Sequence, residues 1–238
     1  MKNYLITGAS RGLGLKTTEL LLESGASVWG VGRTLTNEIL QLQNKFGTQM
    51  KYLQFDISNI AEIKERIFEN FIPNDIELDG LVNNAAIAYS DLATNLKIEQ
   101  LVEMFNVNVF ATMMLSKFAV RRMILHSTKG SIVHISSICV REGFKGLSMY
   151  AASKGALEGF SRALAREWGR YGIRSNCVAA GFMQTDMSSS LKEEDLKKIF
   201  SRSALKSAVS CDSVAETISF LLSEKSSSIS GQIYTVSS

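Results

Sequence analysis

The sequence predicts an α/β domain, a single doubly wound parallel sheet of about seven strands with helices on both faces. Three observations predict it. Short apolar runs alternate with helical periodicity along all 238 residues, the pattern of strands covered on both faces. A glycine-rich turn joins the first strand to the first helix. No repeat, linker or low-complexity tract divides the chain, so residues 1–238 read as one domain, large enough to bury its own core.

The elements follow in order. Tyr4–Thr7 reads as a strand ending at Gly8, and Leu13–Glu23 as a helix with Leu13, Leu20 and Leu21 on one side. Ser27–Val31 and Lys51–Phe55 are the next strands, the latter stopping at Asp56. Ile60–Phe71 has the spacing of an amphipathic helix and precedes Pro73, the only proline. Gly80–Val82 is a strand leading into Asn83–Asn84. A helical stretch from Ile98 to His126 is predicted to break near Asn106–Asn108. Beyond the break, Val109, Phe110, Met113, Met114, Phe118 and Val120 cover more than one face, which calls for burial within the subunit or against a partner. Ser131–Ile135 is a strand, Tyr150–Tyr171 a helix and Arg174–Val178 a strand. Val214–Leu222 is a helix with Ser213 and Glu216 spaced as a capping box, and Gln232–Val236 is the last strand.

Composition narrows the function. Hydrophobic residues at 45% and charged residues at 21% are those of a soluble globular protein. A formal charge of +3, with basic residues scattered, excludes a nucleic-acid stripe. Cys139, Cys177 and Cys211 have no metal-binding spacing and read as reduced thiols, so no metal is expected. No apolar run is long enough to span a membrane and no secretory signal precedes the first strand, so the expected location is cytoplasmic.

The turn Thr7-Gly8-Ala9-Ser10-Arg11-Gly12-Leu13-Gly14 carries the first chemistry. Its glycines permit a tight turn and close approach to a pyrophosphate, while the helix that follows presents free N–H groups and a positive dipole end. The second strand ends Val31-Gly32-Arg33-Thr34, with no Asp or Glu to accept hydrogen bonds from an adenosine ribose. Arg33, together with Arg11 in the turn, suits a 2′-phosphate, so the expected cofactor is NADP(H).

Tyr150 and Lys154 lie one helical turn apart and project from one face. A lysine ammonium there is expected to lower the tyrosine pKa and ready it for proton exchange. Ser137 closes the fifth strand, at the sheet edge where α/β proteins place ligands, and offers a hydroxyl to a carbonyl or alcohol oxygen.

These motifs, in this order, resemble the short-chain dehydrogenase/reductase family. Thr7–Gly14 matches its TGxxxGxG turn and Asn83-Asn84-Ala85 its NNAG segment. Asn108 matches its helix-break asparagine, Ser137 its serine, and Tyr150 to Lys154 its YxxxK. The resemblance implies that Tyr150 is the general acid for ketone reduction or the base for alcohol oxidation. It implies that Lys154 assists it and holds the nicotinamide ribose. Ser137 would orient the substrate oxygen and Asn108 would hold a relay water. Asp56-Ile57 resembles the adenine-flanking pair, and Met183 and Thr185 stand where the family holds the carboxamide. A homodimer or homotetramer is implied too, pairing through the helices at Val109–Met123 and from Tyr150.

Ala86 replaces the glycine of the NNAG segment, and Ala180-Gly181 replaces a Pro-Gly. Tyr150–Leu164 and Val178–Met187 are most similar to 3-oxoacyl-[acyl-carrier-protein] reductases, a flavour shared with sugar and secondary-metabolite reductases. Substrate choice is expected from Val140–Met149 and Phe182–Ser203, the latter reading equally as a lid or a packing helix pair. The alternative is a non-catalytic NADP-sensing regulator on the same fold.

Overall fold

The computed structural model describes residues 1–185, 196, 199–201 and 203–238. Met187 and Leu191, and with them most of the expected lid segment, lie outside the described residues. Among the described residues, seven strands form one parallel sheet in the order β3-β2-β1-β4-β5-β6-β7. They are β1 Asn3–Thr7, β2 Ser27–Gly32, β3 Met50–Gln54, β4 Gly80–Asn83, β5 Ser131–Ser137, β6 Arg174–Ala180 and β7 Ile233–Val236. The winding reverses between β1 and β4, which opens a crevice at their carboxyl ends.

Each face of the sheet has its own core. On one side, α1 (Gly12–Glu23), α2 (Asn37–Phe46) and α7 (Cys211–Leu222) bury Leu13, Leu21, Ile39, Leu42 and Ile218 against Ile6, Val28 and Val82. On the other, a π-helical segment at Lys64–Phe71, α4 (Thr112–Leu125) and α6 (Ser148–Trp168) bury Ile67, Phe68, Leu115, Phe118 and Leu164 against Leu5, Trp29 and Leu81. β2 is buried at every position, as a strand covered on both sides must be. No helix among the described residues is long and apolar enough to cross a membrane.

The expected break in the long helix is a change of winding. α3 (Ile98–Phe105) and α4 are joined by a π-helical stretch at Asn106–Ala111. Asn108 lies within it and bridges to the Ile87 main chain: its side-chain oxygen accepts from Ile87 N–H at 2.9 Å and its amide donates to Ile87 O at 2.9 Å. Two elements differ from the sequence reading. α2 is an additional helix, in which Ile39, Leu42 and Phe46 lie at helical spacing and pack on the first core. α7 is capped by Ser210, whose hydroxyl accepts from Ser213 N–H at 3.1 Å, so the helix begins before the expected Ser213 cap.

A buried polar chain crosses the second core. Asn83 donates its amide to Ser116 Oγ at 3.1 Å and lies 3.2 Å from His134 Nδ1. His134 Nε2 lies 3.3 Å from Ser175 Oγ, which meets Ser161 Oγ at 2.8 Å. His134 is fully buried, and burial, reinforced by the Lys154 charge, pushes its pKa down from 6.5 to about 3. Between these two values the unfolded chain binds a proton that the folded chain does not. Stability therefore falls as pH drops through that window, by roughly 1.4 kcal/mol per unit from this group. Urea midpoints measured between about pH 6.5 and pH 4 should fall less steeply in His134→Gln than in the wild type, by about one proton's worth. Equal slopes would contradict the assignment.

Candidate active site

The glycine turn is built to receive an anion. Gly8 and Gly12 sit at φ +67° and +55°, conformations that side chains disfavour. A Cβ at Gly14 would collide with the Gly8 carbonyl. α1 starts at Gly12 with no side chain capping its N-terminus and no acidic residue in its first turn. Free N–H groups, a positive dipole end and room for backbone contact are what a pyrophosphate requires, and the residues present fit a dinucleotide. Ala9, Ser10 and Leu13 have buried side chains, so their contribution to such a site is backbone.

The turn is locked to β4. Asn84 donates its amide to Thr7 O at 3.0 Å and Gly8 O at 3.2 Å. In return the Thr7 hydroxyl accepts from Asn84 N–H and Ala85 N–H, both at 3.1 Å. Asn84 is thus a brace for the turn. Asn83 points the other way, into the buried chain with His134, so its side chain does not face the crevice. Asp56 accepts from Ser58 N–H at 2.9 Å and Ile57 is buried in the core, so neither side chain is free in the crevice. Arg11, Arg33 and Thr34 are exposed. Thr185 comes across to the turn, its methyl 3.6 Å from where a Gly12 Cβ would stand, and Met183 packs against the first core.

The catalytic candidates meet at the carboxyl end of β5. Ser137 ends the strand, its Oγ accepting at 3.3 Å from the N–H of Cys139, the first residue of the short α5 (Cys139–Glu142). Lys154 on α6 is buried and donates Nζ to Ile135 O at 2.8 Å, which places its charge 5.6 Å from the Tyr150 ring centre. Asn108 Nδ2 donates to Ser153 Oγ at 3.1 Å, tying the π-helical stretch to α6 between the two. Both amide hydrogens of Asn108 are thus donated, to Ile87 and to Ser153.

The expected lowering of the Tyr150 pKa is not what the structure gives. Burial, followed by the charge that Cys139 can carry, pushes the phenol well above its usual value. The lysine donates to a strand carbonyl and stands beside the ring. Burial also pushes Lys154 down to about 8. Cys139 is a neighbour that sequence spacing could not reveal, a buried thiol whose pKa is raised by burial and lowered by Ser137 and Lys154. Cys139 and Cys177 are buried free thiols and Cys211 is half-buried.

A doubly wound sheet with a phosphate-type turn at its reversal and a Ser–Tyr–Lys group beside it defines a nucleotide-dependent oxidoreductase. A family profile described as Enoyl-(Acyl carrier protein) reductase matches residues 8–238. The chain belongs to the short-chain dehydrogenase/reductase family of NAD(P)-dependent oxidoreductases. It is 33% identical over 239 residues to the 3-oxoacyl-[acyl-carrier-protein] reductase FabG of Chlamydia trachomatis, covering 99% of this chain and 95% of that one. Among solved structures it resembles 4-hydroxyisoleucine dehydrogenase complexed with NADH, at TM-score 0.92 and 25% identity, covering 99% of this chain and 97% of that one. It also resembles ElxO with NADP bound, at TM-score 0.90 and 29% identity, covering 99% and 96%.

The crowding at Gly14 gives a direct test of the turn. Gly14→Ala should lower the melting temperature by about 10 °C, since the methyl must push the Gly8 carbonyl and the Asn84 brace apart. A melt within about 2 °C of wild type would show that the turn is looser than described.

Proposed function

We propose that this chain is an NADPH-dependent ketone reductase in which Ser137, Tyr150 and Lys154 are the catalytic residues and Asn108 is a positioning residue. The observation that carries the reading is the Lys154 ammonium, buried beside the Tyr150 ring at the end of β5. The arginines at 11 and 33, with no acid at the tip of β2, favour the 2′-phosphorylated cofactor. Similar solved structures carry either form, NADP in ElxO and NADH in 4-hydroxyisoleucine dehydrogenase, so the choice rests on the arginines.

When bound, NADPH supplies the hydride that reduces the carbonyl carbon. Ser137 and Tyr150 hold the carbonyl oxygen by donated hydrogen bonds, which polarises it. As negative charge develops on that oxygen, Tyr150 transfers its phenolic proton. The Lys154 ammonium then faces the phenolate left behind and stabilises it. A raised phenol pKa suits this direction, because the tyrosine rests in its proton-donating form at neutral pH. Gly8, Ala9, Ser10, Arg11, Gly12, Leu13 and Gly14 would hold the pyrophosphate, with Arg33 and Thr34 at the adenosine end, Asp56, Ile57, Asn83, Asn84 and Ala85 along the crevice, and Met183 and Thr185 closing over the nicotinamide end.

The substrate class proposed is a 3-oxoacyl thioester, which the relative in Chlamydia trachomatis supports by its name. The dehydrogenase likeness keeps small hydroxy acids on the test panel as the second class.

Tyr150→Phe should lower kcat for carbonyl reduction about 10²–10⁴-fold while NADPH dissociation constants stay within about twofold. Retained turnover would remove Tyr150 from the chemistry, and a regulator lacking catalysis would show no wild-type turnover to lose. The pH profile makes a separate prediction. Lys154 is charged below its pKa of about 8, so reductive kcat/KM should be level near neutrality and fall above about pH 8 as one proton leaves. A rate that rises through that range would contradict the role given to the ammonium.

A further inference from the structure

Gly32, the last residue of β2, has an ordinary strand conformation, so glycine is not needed there for its φ. Space is what it lacks. A Cβ built at Gly32 runs into the Tyr52 hydroxyl, with Ser10 Oγ at 3.4 Å and Tyr52 Cζ at 3.5 Å. Tyr52 cannot swing aside without loss, because its hydroxyl donates to Thr34 O at 2.7 Å and its ring packs on the first core. Further along β3, Gln54 donates its amide to Arg33 O at 2.9 Å. Thr36 donates its hydroxyl to Ser10 O at 3.1 Å. Three side chains therefore fasten the segment Arg33–Thr36 to β3 and to the glycine turn.

Position 32 follows Gly12 by 20 residues (32 − 12), the place where an NAD-binding sheet carries the acid that accepts the ribose hydroxyls. We propose that Tyr52 sets the cofactor preference of this chain, by occupying the space a ribose-binding carboxylate at position 32 would need and by holding Arg33 and Thr34 where a 2′-phosphate binds. The proposal rests on the NADPH reading above and assigns its selectivity to a positioning residue that contacts main chain. An acid introduced at 32 with the tyrosine in place displaces the hydroxyl from Thr34. Such a chain loses the phosphate site and gains no ribose contact. Removing the ring first makes room for the acid.

Calorimetric titration of the intact protein with NADP+ and with NAD+, alongside thermal melts, tests both halves. Tyr52→Phe adds no volume and removes only the hydroxyl, with its bonds to Thr34 and Ser10. It should lower the ratio of NADP+ to NAD+ affinity about fivefold. Gly32→Asp alone should lose NADP+ binding without gaining NAD+. The double variant Gly32→Asp with Tyr52→Ala should bind NAD+ at least about tenfold more tightly than Gly32→Asp alone. If Gly32→Asp fails to fold and the double variant folds, that rescue is the same steric result. An unchanged ratio in Tyr52→Phe, or a full switch to NAD+ in Gly32→Asp alone, overturns the proposal. A wild type that prefers NAD+ overturns the NADPH reading itself, which the wild-type titrations show before any variant is made.

Discussion

The Asn84 side chain, donating to the carbonyls of Thr7 and Gly8, joins the tips of β1 and β4 at the one place where the winding of the sheet reverses. Neighbouring parallel strands part company there because their helices leave to opposite faces, and the gap between them is the crevice. Without a brace, the turn carrying Gly8, Gly12 and Gly14 would have carbonyls unpaired and no fixed distance to β4. The reciprocal bonds to the Thr7 hydroxyl set that distance from both sides. Ser137 and the start of α6 lie one strand further on, since β5 pairs directly with β4.

The second constraint is a buried charge. Lys154 is 2% exposed, and its pKa near 8 in place of 10.5 means that keeping it charged at neutral pH costs on the order of 3 kcal/mol. The Ile135 carbonyl offsets part of that cost, and the Asn108–Ser153 bond fixes the helix that carries the lysine. A buried lysine with no ion pair among the described residues is the kind of group that marks a candidate functional site. The strained energetics make sense if an anion forms beside the lysine during turnover, as the departing phenolic proton of Tyr150 would leave one.

Much of this was legible in the sequence because the decisive features are local. A glycine turn placed between a strand and a helix, and a tyrosine one helical turn before a lysine, announce themselves by spacing alone. What escaped depends on packing between distant segments. The direction of the Tyr150 shift is set by burial and by Cys139, and neither is written in the interval between Tyr150 and Lys154. Asn83 and Asn84 are adjacent and chemically identical, yet a strand sends one to His134 and the other to the glycine turn. α2 escaped although Ile39, Leu42 and Phe46 keep helical spacing, because one short stripe among polar residues gives little to tell a helix from a loop. The role of Tyr52 needed the register of β2 against β3 before its hydroxyl could be set beside Gly32.

The most direct test of the account is the initial rate of cofactor oxidation at saturating acetoacetyl thioester, with NADPH and NADH assayed in parallel on the wild-type chain. The account predicts turnover with NADPH and a kcat/KM at least about tenfold above that with NADH, the difference a bound 2′-phosphate can supply. Faster turnover with NADH, or tight NADPH binding with no oxidation of it, would contradict the central claim.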